Sequence, residues 1–143
     1  MNYIISSVLL VCKTYVYILS IYTLNLGTKK LYMKNIKIGA HWIGNNYPVF
    51  VIAEVGINHN GSFKLAKKMI EEAKNAGADC IKFQTHIAEK EMINTKLKPG
   101  NLSKKSLWEI IKSCELTERE EKEISNFCKK KKILFMSTPF SME

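Results

Sequence analysis

The fold is decided by residues 49–86, which read VFVIAEVGINHNGSFKLAKKMIEEAKNAGADCIKFQTH. The continuous apolar run at 49–53 is typical of a parallel strand that is buried on both faces. Ser62 is a favourable helix N-cap, and apolar residues then recur at helical spacing until Gly77, which predicts a helix between these two positions. A second apolar run at 80–83 predicts another strand. Strand, helix and strand in so short a stretch predict a βαβ unit.

The sequence after this unit continues the same alternation. Residues 85–101 lack periodicity and contain a Pro-Gly pair, so we expect a long loop beyond the second strand. A short helix is predicted over 106–113, a second helix opens at a capping box that begins with Thr117, and the apolar run 133–136 predicts a third strand. No glycine-rich nucleotide-binding motif follows any strand. The strands and helices indicate an α/β fold, either a doubly wound sheet or a (β/α)8 TIM barrel, and the single polar group at the end of each strand favours the barrel.

The first 32 residues differ from the rest of the chain. Residues 3–26 are almost wholly apolar or hydroxylated and contain no acidic residue, but Lys13 lies near their middle, where a charge costs about 3 kcal/mol on membrane-insertion scales. We interpret 1–32 as a hydrophobic extension and 33–143 as the globular domain. Three explanations stay open for the extension: an upstream stretch from a misplaced start whose true position is Met33, a weak membrane anchor, or a buried helix.

Composition and charge restrict the class of protein. With 46% hydrophobic and 24% charged residues, the chain has a globular composition. The formal net charge is +9, but Arg119 is the single arginine, and no lysine cluster alternates with aromatic residues, so we expect no nucleic-acid partner. The charge suits small acidic substrates or solubility. The cysteines lack metal-binding or disulfide spacing, and we interpret them as reduced core residues of a cytoplasmic protein: Cys12, Cys80, Cys114 and Cys128.

Polar side chains accompany the end of each predicted strand. Because the carboxyl ends of parallel strands meet at one edge, we expect them to converge on one rim: Glu54, Lys82, Gln84, Thr85, Ser137, Thr138 and Ser141. Lys82 is expensive to bury in an apolar strand unless it meets an anion, which Glu54 or a bound phosphate supplies. Hydroxyls of Thr138 and Ser141 add donors, so a small acidic substrate is the natural occupant. From spacing alone, a merely structural Glu54–Lys82 ion pair is an equally good interpretation.

Two histidines lie in the predicted loops, at His59 and His86. Neither has a second potential ligand two or four residues further on, as a metal site built on one element usually does. We therefore expect both to make hydrogen bonds within their loops.

Several separate motifs stand in a fixed order along the globular part. They are AEVGINHNGS at 53–62, AGAD at 76–79, IKFQTH at 81–86, PGN at 99–101 and FMSTPFS at 135–141. This series resembles the bacterial sialic acid synthases, the family that condenses phosphoenolpyruvate with N-acetylmannosamine to give N-acetylneuraminate and phosphate. The likeness covers essentially everything from Met33 to the end of the chain.

The resemblance implies a fold and a set of residue roles. The family fold is a (β/α)8 barrel followed by a small antifreeze-like domain that reaches into the partner's active site in a homodimer. The chain would hold the first three strands only, and we expect it to be inactive alone. Glu54 resembles the acidic residue near the metal and the reacting carbons, whereas Lys82 and Thr138 resemble ligands of phosphoenolpyruvate. Asn101 and Gln84 resemble contacts to the amino sugar.

The resemblance also implies a divalent metal, usually manganese, that polarises the sugar aldehyde. The two metal-binding histidines of the family are expected beyond Glu143, so no residue of this chain is assigned as a metal ligand. Legionaminic and pseudaminic acid synthases run the same reaction on other sugars, and Ile57 favours the sialic or legionaminic type. A non-catalytic partial domain tethered to a membrane through residues 3–26 is the remaining alternative, although we do not expect that contact.

Overall fold

The computed structural model describes residues 34–100 and 103–142. Two short antiparallel strands come first, followed by a parallel sheet and its helices. The elements in chain order are β1 (Ile36–Ile38), β2 (His41–Ile43), β3 (Ile52–Gly56), α1 (Phe63–Asn75), β4 (Cys80–Thr85), α2 (Ala88–Glu91), α3 (Leu107–Cys114), α4 (Glu118–Lys131) and β5 (Leu134–Pro139). The predicted α/β class with a parallel sheet is confirmed, and closure into a barrel stays a prediction.

The parallel sheet has the order β3-β4-β5, so the strand in the middle is the second of the three along the chain. Across β3 and β4 the Cα atoms of Glu54 and Lys82 are partners, and across β4 and β5 Lys82 is the partner of Met136. A bulge between Glu54 and Gly56 shifts the register at the carboxyl end of β3. Bulges bend a strand and re-aim its side chains, and they are common beside active sites.

One face of the sheet is covered by α1 and α4 and forms the core. Side chains alternate between the two faces of a strand, and every second residue of β3 and β4 is buried against these helices. The buried cluster combines strand and helix positions from all four elements: Ala53, Val55, Ile81 and Phe83 with Ala66, Met69, Ile70, Ala73, Ile124 and Cys128. The intervening strand residues therefore lie on the opposite face, where Glu54 and Lys82 are found. We call it the uncovered face because α1 and α4, which cover the other side, leave it open in the described part of the chain.

Two strand boundaries differ from the prediction. The first strand was expected at 49–53 but lies at Ile52–Gly56, because pairing with β4 starts only where Ile52 meets Cys80. The third was expected at 133–136 but extends to Pro139, because β4 continues to pair with it through Thr85. Apolar runs indicate which residues are buried, whereas the limits of a strand depend on where the backbone of the neighbouring strand pairs with it. Polar residues that were expected beyond the strands therefore lie inside them.

The prediction missed two short elements. The hairpin of β1 and β2 turns through Gly39, which has φ +58°, and a Cβ added there would lie 3.1 Å from the side chain of Leu134. Residues 85–101 were expected to be a loop, but they include α2, whose Ala88 N–H donates to the Glu115 carboxylate at 2.6 Å. Both elements depend on contacts with distant segments, which local periodicity does not reveal.

The predicted helix caps are confirmed. The Ser62 hydroxyl accepts from the Leu65 N–H at the start of α1, and Gly77 follows the helix end with φ +84°. The capping box at Thr117 is formed with Glu120, and α3 opens with a second box. Each cap is worth about 1 kcal/mol.

Two predictions lie outside the described residues: the interpretation of 1–32 as a hydrophobic extension, and the sugar contact at Asn101. Among residues 34–100 and 103–142, no helix combines the length and apolarity that crossing a bilayer requires.

Gly61 and Gly77 allow a matched stability test, since both have positive φ but only one is crowded. A Cβ on Gly61 would lie 2.3 Å from the Ser113 carbonyl oxygen, whereas a Cβ on Gly77 meets nothing within 4 Å. We expect Gly77→Ala to cost about 1–2 kcal/mol, the penalty of left-handed backbone. Gly61→Ala should cost about 1–3 kcal/mol more because a packed contact is also disturbed. Urea denaturation of both variants checks this, and equal losses would contradict the close packing of α3 on this loop.

Candidate active site

Glu54 and Lys82 form an ion pair on the uncovered face of the sheet. Lys82 Nζ donates to Glu54 Oε2 at 2.7 Å, and β3–β4 pairing brings the two backbones opposite each other. The side chains remain 29% exposed at Lys82 and 39% exposed at Glu54, so water reaches both. The predicted juxtaposition of these two residues is confirmed, and their roles stay a prediction.

Gln84 and Thr138 lie one step nearer the carboxyl end on this same face. They are Cα partners across β4 and β5, and each stands two residues after a member of the preceding Lys82–Met136 pair. Strand alternation therefore places all four on one side of the sheet. Ser141 follows β5 and is half-buried. This face of the sheet thus has two levels. The first holds the Glu54–Lys82 ion pair, and the second, nearer the carboxyl ends of the strands, holds the Gln84 amide and the Thr138 hydroxyl.

Thr85 and Ser137 do not join this group, contrary to the prediction that all strand-end hydroxyls share one rim. Both occupy alternate positions and face α4 instead. The Thr85 hydroxyl donates to Glu121 Oε2 at 3.1 Å and lies 2.6 Å from the Ser137 hydroxyl. Because Thr85 uses its proton on Glu121, Ser137 donates to Thr85. The error arose from treating strand residues as loop residues, which ignores alternation.

Glu121 is a half-buried acid that was not predicted from the sequence. Burial raises its pKa, and the hydrogen bond from Thr85 opposes this only in part. A signal was present, since Glu121 stands three residues before Ile124 and seven before Cys128, on the apolar stripe of the helix. An acid on such a stripe indicates a buried polar partner.

His86 is held in a buried cluster at the carboxyl end of the sheet. Its Nδ1 lies 2.8 and 2.9 Å from the two Glu91 carboxylate oxygens, and both side chains are 5% exposed. The ring stacks on Phe140 with centroids 4.3 Å apart. Its Nε2 lies 3.4 Å from Gln84 Oε1. The expectation that His86 makes local hydrogen bonds is confirmed.

His59 contradicts the corresponding expectation. Its side chain is 1% exposed, and neither ring nitrogen has a hydrogen-bond partner among the described residues. The ring instead lies against Phe83, with centroids 5.8 Å apart. Burial, followed by repulsion from His86, lowers the pKa of His59. A histidine in a polar loop motif gave no indication of burial, because the loop folds back over the sheet.

The described cysteines behave as core residues. Cys80, Cys114 and Cys128 are buried and free, which confirms their interpretation, whereas Cys12 lies outside the described residues. Burial raises the pKa of Cys128 to about 12. A thiol with so high a pKa stays protonated at neutral pH and is a poor nucleophile, because the thiolate is the reactive form.

The family follows from a direct match. Residues 69–143, just over half of the chain, match the model of the NeuB family. The chain belongs to the NeuB family. The resemblance found in the sequence motifs is thereby confirmed at the level of the family.

Relatives of this NeuB-family chain include synthases of different sugar acids. It is 42% identical to an N,N'-diacetyllegionaminic acid synthase of Campylobacter jejuni over 65% of its own length and 29% of the relative. It is 36% identical to a pseudaminic acid synthase of the same organism over 66% of its length and 29% of that relative. A solved N-acetylneuraminic acid synthetase of Leptospira borgpetersenii matches with a TM-score of 0.64 and 35% identity, covering 80% of this chain and 37% of that one.

These matches leave the activity of the whole protein to be proposed. The chain spans less than a third of the length of the curated relatives. Since the relatives are named as synthases of different sugar acids, membership of the NeuB family does not by itself select one.

The metal implied by the family resemblance does not fit the described residues by themselves. Among residues 34–100 and 103–142, no group of three or more His, Cys, Asp or Glu side chains is arranged to hold a metal ion. The Glu54 carboxylate is engaged by Lys82. The chemistry below is therefore argued from the side chains of this chain, and the manganese expectation stays a prediction.

The raised pKa of Glu121 predicts that replacing this residue changes the stability of the fold in a pH-dependent way. Its pKa in the folded state is raised above the ordinary 4.5, so the folded state holds the proton more tightly than the unfolded state. The stability that Glu121 contributes is therefore fully present below pH 4.5 and is lost as pH rises through the folded pKa. We expect Glu121→Gln, which keeps an acceptor for Thr85 without the charge, to be more stable than wild type at pH 7.5. The advantage should disappear near pH 4 in urea titrations.

Glu120 provides a control, because its replacement by Gln is expected to change stability at neutral pH in the opposite direction. Its pKa is lowered by the Thr117 backbone N–H and hydroxyl, so its contribution is present at neutral pH and is lost as pH falls. Glu120→Gln should therefore be less stable than wild type at pH 7.5. If both variants changed stability in the same direction, burial of a charge at Glu121 would be refuted.

Proposed function

We propose that the complete gene product carrying this sequence condenses phosphoenolpyruvate with an N-acetylated amino sugar, releasing phosphate and a sialic-acid-type product. The observation that carries the proposal is the Glu54–Lys82 pair on the uncovered face of the sheet, with Gln84 and Thr138 on the next level. The matches to synthases of this reaction class support it. The sequence motifs that carry the resemblance contain all four residues.

Lys82 is proposed to bind the phosphoenolpyruvate anion. Its partner Glu54 is partly exposed, and ion pairs in such surroundings contribute only about 0–1 kcal/mol. Lys82 can therefore turn toward a substrate carboxylate or phosphate at little cost in stability. An ammonium bound to an oxyanion forms a charge-assisted hydrogen bond, which is stronger than a neutral one.

Glu54 is proposed to act next to the reacting carbons. After the carbon-carbon bond forms, positive charge develops at the former enol-ether carbon, and water adds there before phosphate leaves by carbon-oxygen cleavage. A carboxylate at this position stabilises the developing charge and orients the water. Lys82 at 2.7 Å offsets the repulsion between Glu54 and an anionic substrate.

Thr138 and Gln84 are proposed to position the two substrates. The Thr138 hydroxyl supplies a further donor to the phosphoenolpyruvate anion, and the Gln84 amide contacts the amino sugar. Pairing of their backbones across β4 and β5 holds the two contacts side by side. Fixing both substrates in attack geometry supplies much of the acceleration of a bimolecular reaction.

The sugar itself has two leading candidates. N-acetylmannosamine is supported by the motif series and by the match to a sialic acid synthetase structure. A diacetamido sugar leading to a legionaminic-type acid is supported by the 42% identity to an N,N'-diacetyllegionaminic acid synthase. The extra acetamido group is the chemical difference that the complete site must recognise.

Phosphate release tests the proposed function. We expect the complete gene product with manganese to release phosphate from phosphoenolpyruvate only when one of these amino sugars is present. Lys82→Met keeps the chain length but removes the charge, so kcat/KM should fall about 100-fold or more, as for other donors aimed at reacting anions. Glu54→Gln should lower kcat with a smaller effect on the KM of phosphoenolpyruvate.

Lys68→Met is the matched control. Lys68 is exposed on α1, which covers the other face of the sheet, so its loss should leave both constants unchanged. Phosphate release without a sugar, or full activity of Lys82→Met, would rule out the proposed roles.

Residues 33–143 expressed alone are expected to aggregate and to bind neither metal nor phosphoenolpyruvate. Within the described residues, β3 and β5 each pair on one side only, and open edges promote association. Val49 and Ile52 are also 71% and 41% exposed. Size-exclusion chromatography and calorimetry check this, and a soluble monomer with micromolar affinity for phosphoenolpyruvate would contradict it.

A further inference from the structure

We propose that His86 is a positioning residue that holds the Gln84 amide in place for the amino sugar, and that Glu91 in turn holds His86. This inference rests on the proposed function, because it concerns the sugar contact assigned to Gln84. It assigns a role to two buried residues that the proposed chemistry does not otherwise use.

Glu91 fixes one edge of the imidazole. Both of its carboxylate oxygens lie within hydrogen-bond distance of Nδ1, at 2.8 and 2.9 Å, so Nδ1 carries a proton and donates. Glu91 lies on α2, whose first residue donates its N–H to the Glu115 carboxylate. The carboxylate that holds the ring therefore belongs to a short helix that is itself anchored to another segment.

Phe140 fixes the plane of the ring. The two rings are stacked at 4.3 Å with 20° between their planes. The Phe140 N–H also donates to the Thr85 carbonyl at 3.2 Å, which ties the end of β5 to the end of β4. With one edge bonded and one face covered, the imidazole keeps a single orientation.

The free edge of the ring then points at Gln84. Nε2 lies 3.4 Å from Gln84 Oε1. With Nδ1 donating to Glu91, a protonated Nε2 donates to Oε1, whereas an unprotonated Nε2 accepts from the amide nitrogen once the amide is turned over. On another side the amide approaches Gly56, where an added Cβ would lie 3.4 Å from the same oxygen. A glutamine side chain is otherwise flexible, and confining it before the ligand arrives reduces the entropy lost on binding.

His86→Asn in the complete gene product tests the proposal. The shorter amide reaches Glu91 in place of Nδ1 but does not reach Gln84. We expect the KM for N-acetylmannosamine, or for the diacetamido sugar if that is the substrate, to rise about tenfold, the loss typical of one hydrogen-bonding contact. The KM for phosphoenolpyruvate should stay unchanged. His86→Gln, whose amide extends to the place of Nε2, should recover much of the loss.

Glu91→Gln and Glu89→Gln form a matched pair on α2. Glu89 bonds to Lys112 and is 51% exposed, so its replacement should change neither KM. Glu91→Gln keeps an acceptor for Nδ1 but removes the charge that strengthens the bond, so it should raise the sugar KM alone and by less than His86→Asn. Because it keeps the side-chain size, it tests the same contact if His86→Asn fails to fold. In a double-mutant cycle, His86→Asn should add little to Gln84→Ala, since both remove one contact.

The outcomes separate this proposal from the proposed function. An active wild type whose two KM values change equally in His86→Asn and Glu91→Gln, or a fully additive cycle with Gln84→Ala, would overturn the positioning role alone. A wild type that condenses phosphoenolpyruvate with no amino sugar would overturn the proposed function first and this inference with it.

Discussion

Asp79 sets the register on which the rest of the structure depends. Its carboxylate accepts from the Val51 N–H at 2.8 Å, and the Val51 carbonyl accepts from the N–H groups of Asp79 and Cys80. On the other side, the Asp79 carbonyl accepts from Leu134 N–H at 3.0 Å. One residue thus joins the amino ends of all three parallel strands. A slip of one position would turn Lys82 into the helix-covered core, where an unpaired charge costs several kcal/mol.

The same register divides the sheet into a packing face and a chemical face. The segments Ala53-Glu54-Val55 and Ile81-Lys82-Phe83 alternate strictly, with apolar residues toward α1 and α4 and charged residues on the other side. The apolar run at 49–53 led to the prediction that the first strand is buried on both faces. The alternation was visible, and it explains why an acid and a lysine stand within apolar strands without a prohibitive cost of burial.

Features that depend on local sequence were predictable. The helices, the caps at Ser62 and Thr117 and the opposition of Glu54 and Lys82 all follow from spacing and from parallel pairing. Strand limits were not, because they depend on where the partner's backbone continues to pair. The hairpin, α2 and the half-buried Glu121 were missed for a related reason: each lies against segments far apart in sequence. The burial of His59 was missed because no local sequence pattern indicates a buried imidazole whose nitrogens have no partner among the described residues.

The site separates the groups that are proposed to meet the substrate from the groups that hold them. Glu54 and Lys82 are partly exposed and bonded to each other, so their ion pair can be rearranged at little cost when an anion enters. His86 and Glu91 are almost fully buried and bonded at two distances below 3 Å, so breaking them would leave a buried polar group unpaired. The contacts that can be exchanged therefore lie where phosphoenolpyruvate is proposed to bind. The contacts that are costly to break lie next to Gln84. If the proposed function holds, a site that discriminates between amino sugars needs rigidity at its sugar contact more than at its anion contact, and the proposed sugar contact at Gln84 is the one that the buried cluster supports.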